Sequence, residues 1–323
     1  MKVSVIVPVY KTEKFIYRCL DSILNQSLHD IEIIVVNDCT PDNSMRIVTE
    51  YAHKDKRLHI INNPINLGPM LTRKVGYQQA IGDYILFCDS DDYLPIDALE
   101  RMYVAIEQSK ADIVVSAYTY IGVNGEKTKI INRISGGEAS YDAYLALFDN
   151  ELKHSLCAKI YSRKLFANYE YETFEKQANA EDFVLFCQLL KHVTKIQCIE
   201  TSTYNYCQNL LSATQSYSDD KFLSFVNAIN WQFTFFKGMN ELENKSFADI
   251  LNSILTLLKA GCKKNIILKI DSEILASMSF PVLRKYLPLP KIVLLYSLFE
   301  FPMFCSFYSY CGRLKKKLLL LHD

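Results

Sequence analysis

Between residues 3 and 117, short apolar runs alternate with segments of helical spacing, and that alternation leaves few possible architectures. Val3–Val9, Ile31–Asn37, Leu58–Ile61, Tyr84–Cys88 and Asp112–Ala117 read as strands. Ile31–Asn37 is nearly unbroken in its apolar character, as in a strand covered on both faces of a parallel sheet. Helices are expected over Glu13–Gln26, Ser44–His53, Pro69–Ala80 and Pro95–Ser109. In the first, Phe15, Ile16, Cys19, Leu20, Ile23 and Leu24 recur at helical spacing, with Thr12 placed to cap it. Pro69 stands at the favoured first position of the third, and Gly82 is expected to end it. This order predicts an α/β, doubly wound, mostly parallel sheet. Ligands of such sheets bind beyond the carboxyl ends of the strands. Asp38 and the cluster Asp89–Asp92 both fall at such ends.

After residue 117 the pattern changes. Asn124-Gly125 between two β-rich runs signals a hairpin. Helices near Tyr141–Asp149 and Glu181–His192, and strands near Lys195–Ile199 and Tyr204–Tyr206, complete a second half that would build the acceptor side of a cleft. From Asp219 the chain reads helical, over Phe222–Phe236, Phe247–Lys259 and Ser272–Tyr286, so a domain boundary is placed near residue 217. The expected domains are 1–217, divided at 117/118, and a helical region 218–323.

Composition excludes some classes of function. Lys+Arg and Asp+Glu balance at 36 each, which gives no global attraction to nucleic acid. The ten Cys are scattered without a C-x-x-C pair, as expected of buried thiols in a reducing compartment. The six His show no zinc spacing. Met1 and Lys2 lead directly into the first strand with no room for a signal peptide, so a cytoplasmic protein is expected.

The acidic strand ends carry the candidate chemistry. Two carboxylates at Asp89 and Asp91 can reach one ligand if the chain turns there. Hard cations such as Mg²⁺ or Mn²⁺ take oxygen ligands and share their shell with substrate phosphates. Such an acidic turn is also a common solvated surface feature. Asp38 is placed to accept from the N3–H of a uracil or from a ribose hydroxyl, or else to serve only a turn. Arg73, one turn into its helix, can reach a base or diphosphate on the same rim, or lie on a solvated face beside Lys74.

Ser4–Tyr10, Ile33–Asp38, Asn66–Gly68, Arg73 and Gly82–Asp92 together resemble, in order and spacing, glycosyltransferase family 2, over about residues 1–215. The resemblance implies the GT-A fold, a nucleotide-diphosphate-sugar donor (a UDP-sugar is favoured), a divalent metal, and inversion at the anomeric carbon. It places Pro8, Val9, Tyr10 and Asp38 on the nucleoside. Asn66, Arg73, Asp89 and Ser90 join the donor site, and Asp91 with Asp89 meets metal and diphosphate. Glu181-Asp182 matches the family's acidic pair. Asp182 is the expected base for the acceptor hydroxyl and Glu181 an orienter, although a helix N-terminus favours acidic residues in any case. Ser212 and Thr214 resemble a hydroxyl pair near the diphosphate. The implied acceptor is a glycan or lipid-linked sugar of a bacterial surface polysaccharide.

Three positions depart from the family's pattern. Lys11 stands where Asn is frequent. Asn37-Asp38-Cys39-Thr40 replaces an Asp-Asp-Gly-Ser run. Cys207 stands where Arg is frequent. Near the C-terminus, an apolar segment followed by Arg313 and Lys315–Lys317 reads as a membrane-surface element over residues 291–317, or as a core-packing helix with a basic tail. Glu300 and Pro302 argue against a membrane span. Two competing readings are a sugar-nucleotide pyrophosphorylase, disfavoured because Pro8–Glu13 holds no glycine to cradle a triphosphate, and a degenerate binding scaffold.

Overall fold

β1 (Val3–Val9) is flanked by parallel partners on both sides, β2 (Ile31–Asn37) and β4 (Tyr84–Phe87), and β3 (Leu58–Asn62) extends the sheet beyond β2. The computed structural model describes residues 1–134, 140–174, 179–209 and 218–299. The chain divides into two compact units, residues 1–216 and 217–323.

In the first unit the crossover helices are α1 (Ile16–Leu24), α2 (Ser44–Lys54), α3 (Pro69–Gln79) and α4 (Ala98–Ser109). Alternation along β1 assigns the faces. Val3, Val5, Val7 and Val9 join a core with Cys19, Leu20, Ile23, Val48, Leu99 and Met102 of α1, α2 and α4. Ile6 points the other way, to α3, where a Cβ on Gly76 would fall 2.5 Å from Ile6 Cγ2. The missing side chain of Gly76 therefore lets α3 lie close on β1.

The sheet continues through β5 (Ile113–Ile121), β6 (Lys127–Ile130), β7 (Lys159–Ser162) and β8 (Ile196–Cys207). Strand order is β3-β2-β1-β4-β7-β5-β6, with β8 on β5. The antiparallel β7 stands between β4 and β5, so the wound half does not pass directly into the fifth strand. The two late strands of the sequence reading form one strand, β8, whose pairing with β5 has register shifts between Ser116 and Thr119. The Asn124-Gly125 hairpin is present, with Gly125 at φ +83°. The short helices α5 (Ser140–Phe148) and α6 (Lys164–Ala167) and the longer α7 (Glu181–Leu190) complete this unit.

Two end signals act differently from the sequence reading. Thr12 caps α1 with its backbone carbonyl, which accepts from Phe15 and Ile16 N–H at 2.9 Å, while its Oγ1 has no partner. Gly82 does not end α3, which stops at Ala80 in extended backbone. Gly82 instead permits close packing, since a Cβ there would lie 2.7 Å from both N and Oγ of Ser4.

The second unit is helical: α8 (Asp219–Phe236), α9 (Glu241–Lys259), α10 (Lys264–Ile267), α11 (Ser272–Ala276), α12 (Phe280–Tyr286) and α13 (Leu289–Phe299). Its core gathers Val226, Ile250, Leu251, Ile254, Ile274 and Leu283. The single helix expected over Ser272–Tyr286 is broken: α11 stops at Ala276, and α12 begins at Phe280 with Pro281 in its first turn, where no N–H is needed. Ile292 and Leu295 of α13 are buried in this core. Among the described residues no helix is long and apolar enough to cross a membrane. Residues 300–317 of the segment read as a membrane-surface element or a core-packing helix lie outside them.

Candidate active site

Parallel register brings Val9, Asn37 and Asn62 to one rim, where β4 is followed by Cys88 and Asp89. Pro8 is half-buried and Tyr10 is 43% exposed, so the Tyr10 ring is open to a ligand. The Val9 side chain is fully buried in the core, which leaves only its backbone on the rim.

Asp38 is buried and extensively bonded. Its Oδ1 accepts from Asn63 Nδ2 at 2.9 Å and from Leu67 N–H at 2.8 Å, and its Oδ2 accepts from Gly68 N–H at 3.0 Å. Asn66 Nδ2 donates to the Asp38 carbonyl at 3.1 Å. A carboxylate offers about four acceptor positions. Asp38 thus holds the loop before α3 and keeps room for about one ligand donor.

Arg73 is the hub of the site. It is 4% exposed, and its Nη2 lies 2.9 Å from Asp89 Oδ1 while its Nη1 lies 3.1 Å from Asp182 Oδ1 and 3.5 Å from Glu181 Oε1. Burial opposes its charge, but Asp182, Asp89 and Glu181 hold its proton affinity well above the usual arginine value. The sequence alternatives for Arg73 are therefore resolved against a solvated helix face. The geometry also brings the acidic turn after β4 and the acidic pair on α7 together around one guanidinium.

The carboxylates differ in what they still offer. Asp89 is engaged by Arg73, and its Oδ2 accepts from the Cys157 thiol at 3.3 Å. Burial, and then Asp89, push the Asp91 carboxyl above its ordinary value, although Asn209 Nδ2 donates to it at 3.1 Å. Asp92 is buried and structural: Tyr204 Oη and the Cys207 N–H each donate to it at 2.7 Å. Asp182 Oδ2 accepts from Leu156 N–H at 3.2 Å, whereas its Oδ1 has no aligned hydrogen bond despite the nearby guanidinium. Burial and the neighbouring Asp182 push Glu181 up to about 7. Ser90 is buried in the turn, and Ser212 and Thr214 lie outside the described residues.

Among the described residues no group of three or more His, Cys, Asp or Glu is arranged to hold a metal by itself. Magnesium-type sites commonly take one or two carboxylates and complete the shell from phosphates and water. Asp91 fits that requirement, because a cation would relieve its unfavourable burial. Asp89 fits it less well, since Arg73 already occupies Oδ1.

Sequence reasoning missed Arg18, Cys157, Tyr204 and Asn209. Arg18 Nη2 donates to the Asp91 carbonyl at 2.7 Å, and its guanidinium packs 4.8 Å from the centre of the Tyr93 ring and reaches the Cys207 thiol. Its place one turn into the helix after β1 was the available signal. The others arrive from distant strands and loops and leave no local pattern.

Residues 4–170 match the profile of Glycosyl transferase family 2. The chain belongs to that family, and its architecture is the GT-A α/β fold. The uncharacterized glycosyltransferase EpsJ of Bacillus subtilis is 32% identical over 221 residues, which cover 66% of this chain and 63% of EpsJ. Glycosyltransferase GlyA of Streptococcus pneumoniae is 31% identical over 250 residues, covering 74% of this chain and 35% of GlyA. The matches thus span less than two thirds of either relative's length. A crystal structure of residues 1–349 of Staphylococcus aureus TarS in complex with UDP-GlcNAc superposes with a TM-score of 0.68 at 22% identity, covering 93% of this chain and 91% of that one.

Proposed function

We propose that this chain is an inverting glycosyltransferase that moves a hexose or N-acetylhexosamine from a UDP-sugar to a hydroxyl of a glycan or lipid-linked acceptor in surface-polysaccharide synthesis. The observation that carries the reading is the Arg73 hub, which gathers Asp89 of the donor rim with the Glu181–Asp182 pair. A likeness in fold to TarS, whose structure holds UDP-GlcNAc, supports the donor class.

In this reading Tyr10 and the loop held by Asp38 receive the nucleoside. Arg73 and Arg18 supply fixed positive charge beside the diphosphate, where it acts without reorganisation. Asp91, assisted by Asp89, would hold Mg²⁺ or Mn²⁺, which when bound neutralises charge on the departing diphosphate. Asp182 accepts the proton of the acceptor hydroxyl as it attacks, through Oδ1, which is paired with Arg73 at 3.1 Å but receives no aligned hydrogen bond among the described residues. Glu181 orients the acceptor and sets the charge around Asp182.

The test is nucleoside-diphosphate release by the purified chain against a panel of nucleotide sugars, with Mn²⁺ or with chelator, in the presence of glycan and lipid-linked acceptors. Acceptor-dependent release from one donor, abolished by chelator, is the expected result. Nucleoside triphosphate and sugar 1-phosphate formed from the donor on addition of pyrophosphate would overturn the reading in favour of a pyrophosphorylase. No release from any donor would favour a binding scaffold.

A further inference from the structure

Lys159 opens β7 and is 1% exposed. Its Nζ donates to the carbonyl of Lys153 at 2.8 Å and to that of Ser155. The ammonium also sits 4.8 Å from the centre of the Phe186 ring on α7. Among the described residues its partners are thus carbonyls and an aromatic face, not a carboxylate. Burying a cation on such terms is costly, so the arrangement needs a reason beyond packing.

The reason is visible one residue further along the strap 153–157. Leu156 N–H donates to Asp182 Oδ2 at 3.2 Å, and the Cys157 thiol donates to Asp89 Oδ2 at 3.3 Å. The Tyr161 hydroxyl donates to the Leu156 carbonyl at 3.0 Å. The strap therefore turns its carbonyls to Lys159 and Tyr161 and its donors to two carboxylates of the site.

We propose that Lys159 is a positioning residue for sugar transfer: it holds the strap through the Lys153 and Ser155 carbonyls, and the strap fixes Asp182 and Asp89. This rests on the transferase reading above. Lys159 touches no substrate; it acts through Leu156 and Cys157. Its charge is also attracted to Asp182, and although burial lowers its proton affinity to about 8, it remains cationic at neutral pH. A cation near an acidic pair favours the ionised, proton-accepting form.

The test compares Lys159→Met and Tyr161→Phe with wild type in the full chain, measuring kcat and donor KM across pH alongside melting temperature. Lys159→Met is expected to lower kcat by up to about 100-fold, the scale of a misplaced catalytic group, with donor KM nearly unchanged. Its acid limb is expected to move to higher pH by about half a unit to one unit, because a nearby cation is gone. Tyr161→Phe removes a strap contact but no charge, so kcat falls several-fold with the limb in place. A folded Lys159→Met with wild-type kcat and an unmoved limb would overturn the proposal. So would a loss that follows only the unfolded fraction. If Lys159→Met does not fold, Tyr161→Phe decides: lower kcat at unchanged KM supports the strap, and wild-type kcat overturns it. Hydrogen exchange at the Leu156 amide provides a readout without turnover. Faster exchange there in either variant, with β1 and β4 unaffected, is expected, and unchanged exchange contradicts the proposal. An inactive wild type would sink the transferase reading alone, leaving exchange to judge the strap.

Discussion

The Arg73 guanidinium lies 2.9 Å from Asp89, two residues past the end of β4, and the same group reaches Asp182 on α7 at 3.1 Å. One buried cation therefore joins the nucleotide half of the fold to the acidic pair. Arg73→Leu would leave three carboxylates without their counter-charge, and stability should fall by about 3–5 kcal/mol. Arg73→Lys keeps the charge but not the planar fork that spans two carboxylates. It should fold, with turnover reduced on the order of 100-fold. Urea unfolding and steady-state kinetics check the two variants.

Glu181 makes the site sensitive to pH. Its carboxyl rises from 4.5 to about 7 through burial and then through Asp182. Between those values the folded state holds a proton that the unfolded state releases, so this group's contribution to stability falls as pH rises through the window. Glu181→Gln should gain melting temperature relative to wild type at pH 8 and little at pH 5. It should leave the acid limb of kcat/KM in place below pH 7, where the wild-type Glu181 already carries its proton and is as uncharged as the amide. Melting scans and a pH–rate profile test both outcomes.

Lys11 and Cys39 share one backbone state, φ +56°, and the Lys11 N–H donates to Thr40 Oγ1 at 2.7 Å. These are two of the positions where the chain departs from its family's usual Asn and Gly. Both usual residues tolerate the left-handed region, whereas other side chains cost about 1–2 kcal/mol there. Cys39→Gly should therefore stabilise by about 0.5–1 kcal/mol after the added freedom of the unfolded chain, and Cys39→Val should destabilise. Thermal unfolding reads both.

Gly82 lies at the start of β4, on the rim opposite the site. Gly82→Ala would drive a Cβ to 2.7 Å from Ser4 N and 2.9 Å from Val3 C. Backbone cannot yield cheaply, so a loss of about 2–4 kcal/mol is expected. Turnover per folded molecule should be unchanged, which active-site titration against melting temperature would show.

The wound half was legible because its signals are local. Ile31–Asn37 carries the apolar run of a covered strand, Pro69 opens α3, and Asp89 follows β4 at the rim. β7 was not legible, since its four residues contain Lys159, whose burial depends on carbonyls supplied by the preceding loop. The break before Pro281 was readable in principle but was outweighed by the helical spacing around it. In the site, Asp89 and Asp91 were found from a strand end, and the Glu181–Asp182 pair from the family resemblance. Their meeting at Arg73 depends on α3 lying against α7, a tertiary relation that spacing does not encode. Arg18 and Asn209 come to Asp91 by the same kind of long-range packing.

The central claim is that the Arg73 hub joins a donor site to the base that activates the acceptor. Asp182→Asn tests it most directly, with UDP-sugar affinity measured by calorimetry and transfer measured on the same preparation. The account predicts donor affinity close to wild type and transfer reduced by about 100- to 10,000-fold, the range for loss of a general base. Retained transfer, or a loss of donor binding equal to the loss of transfer, would contradict it.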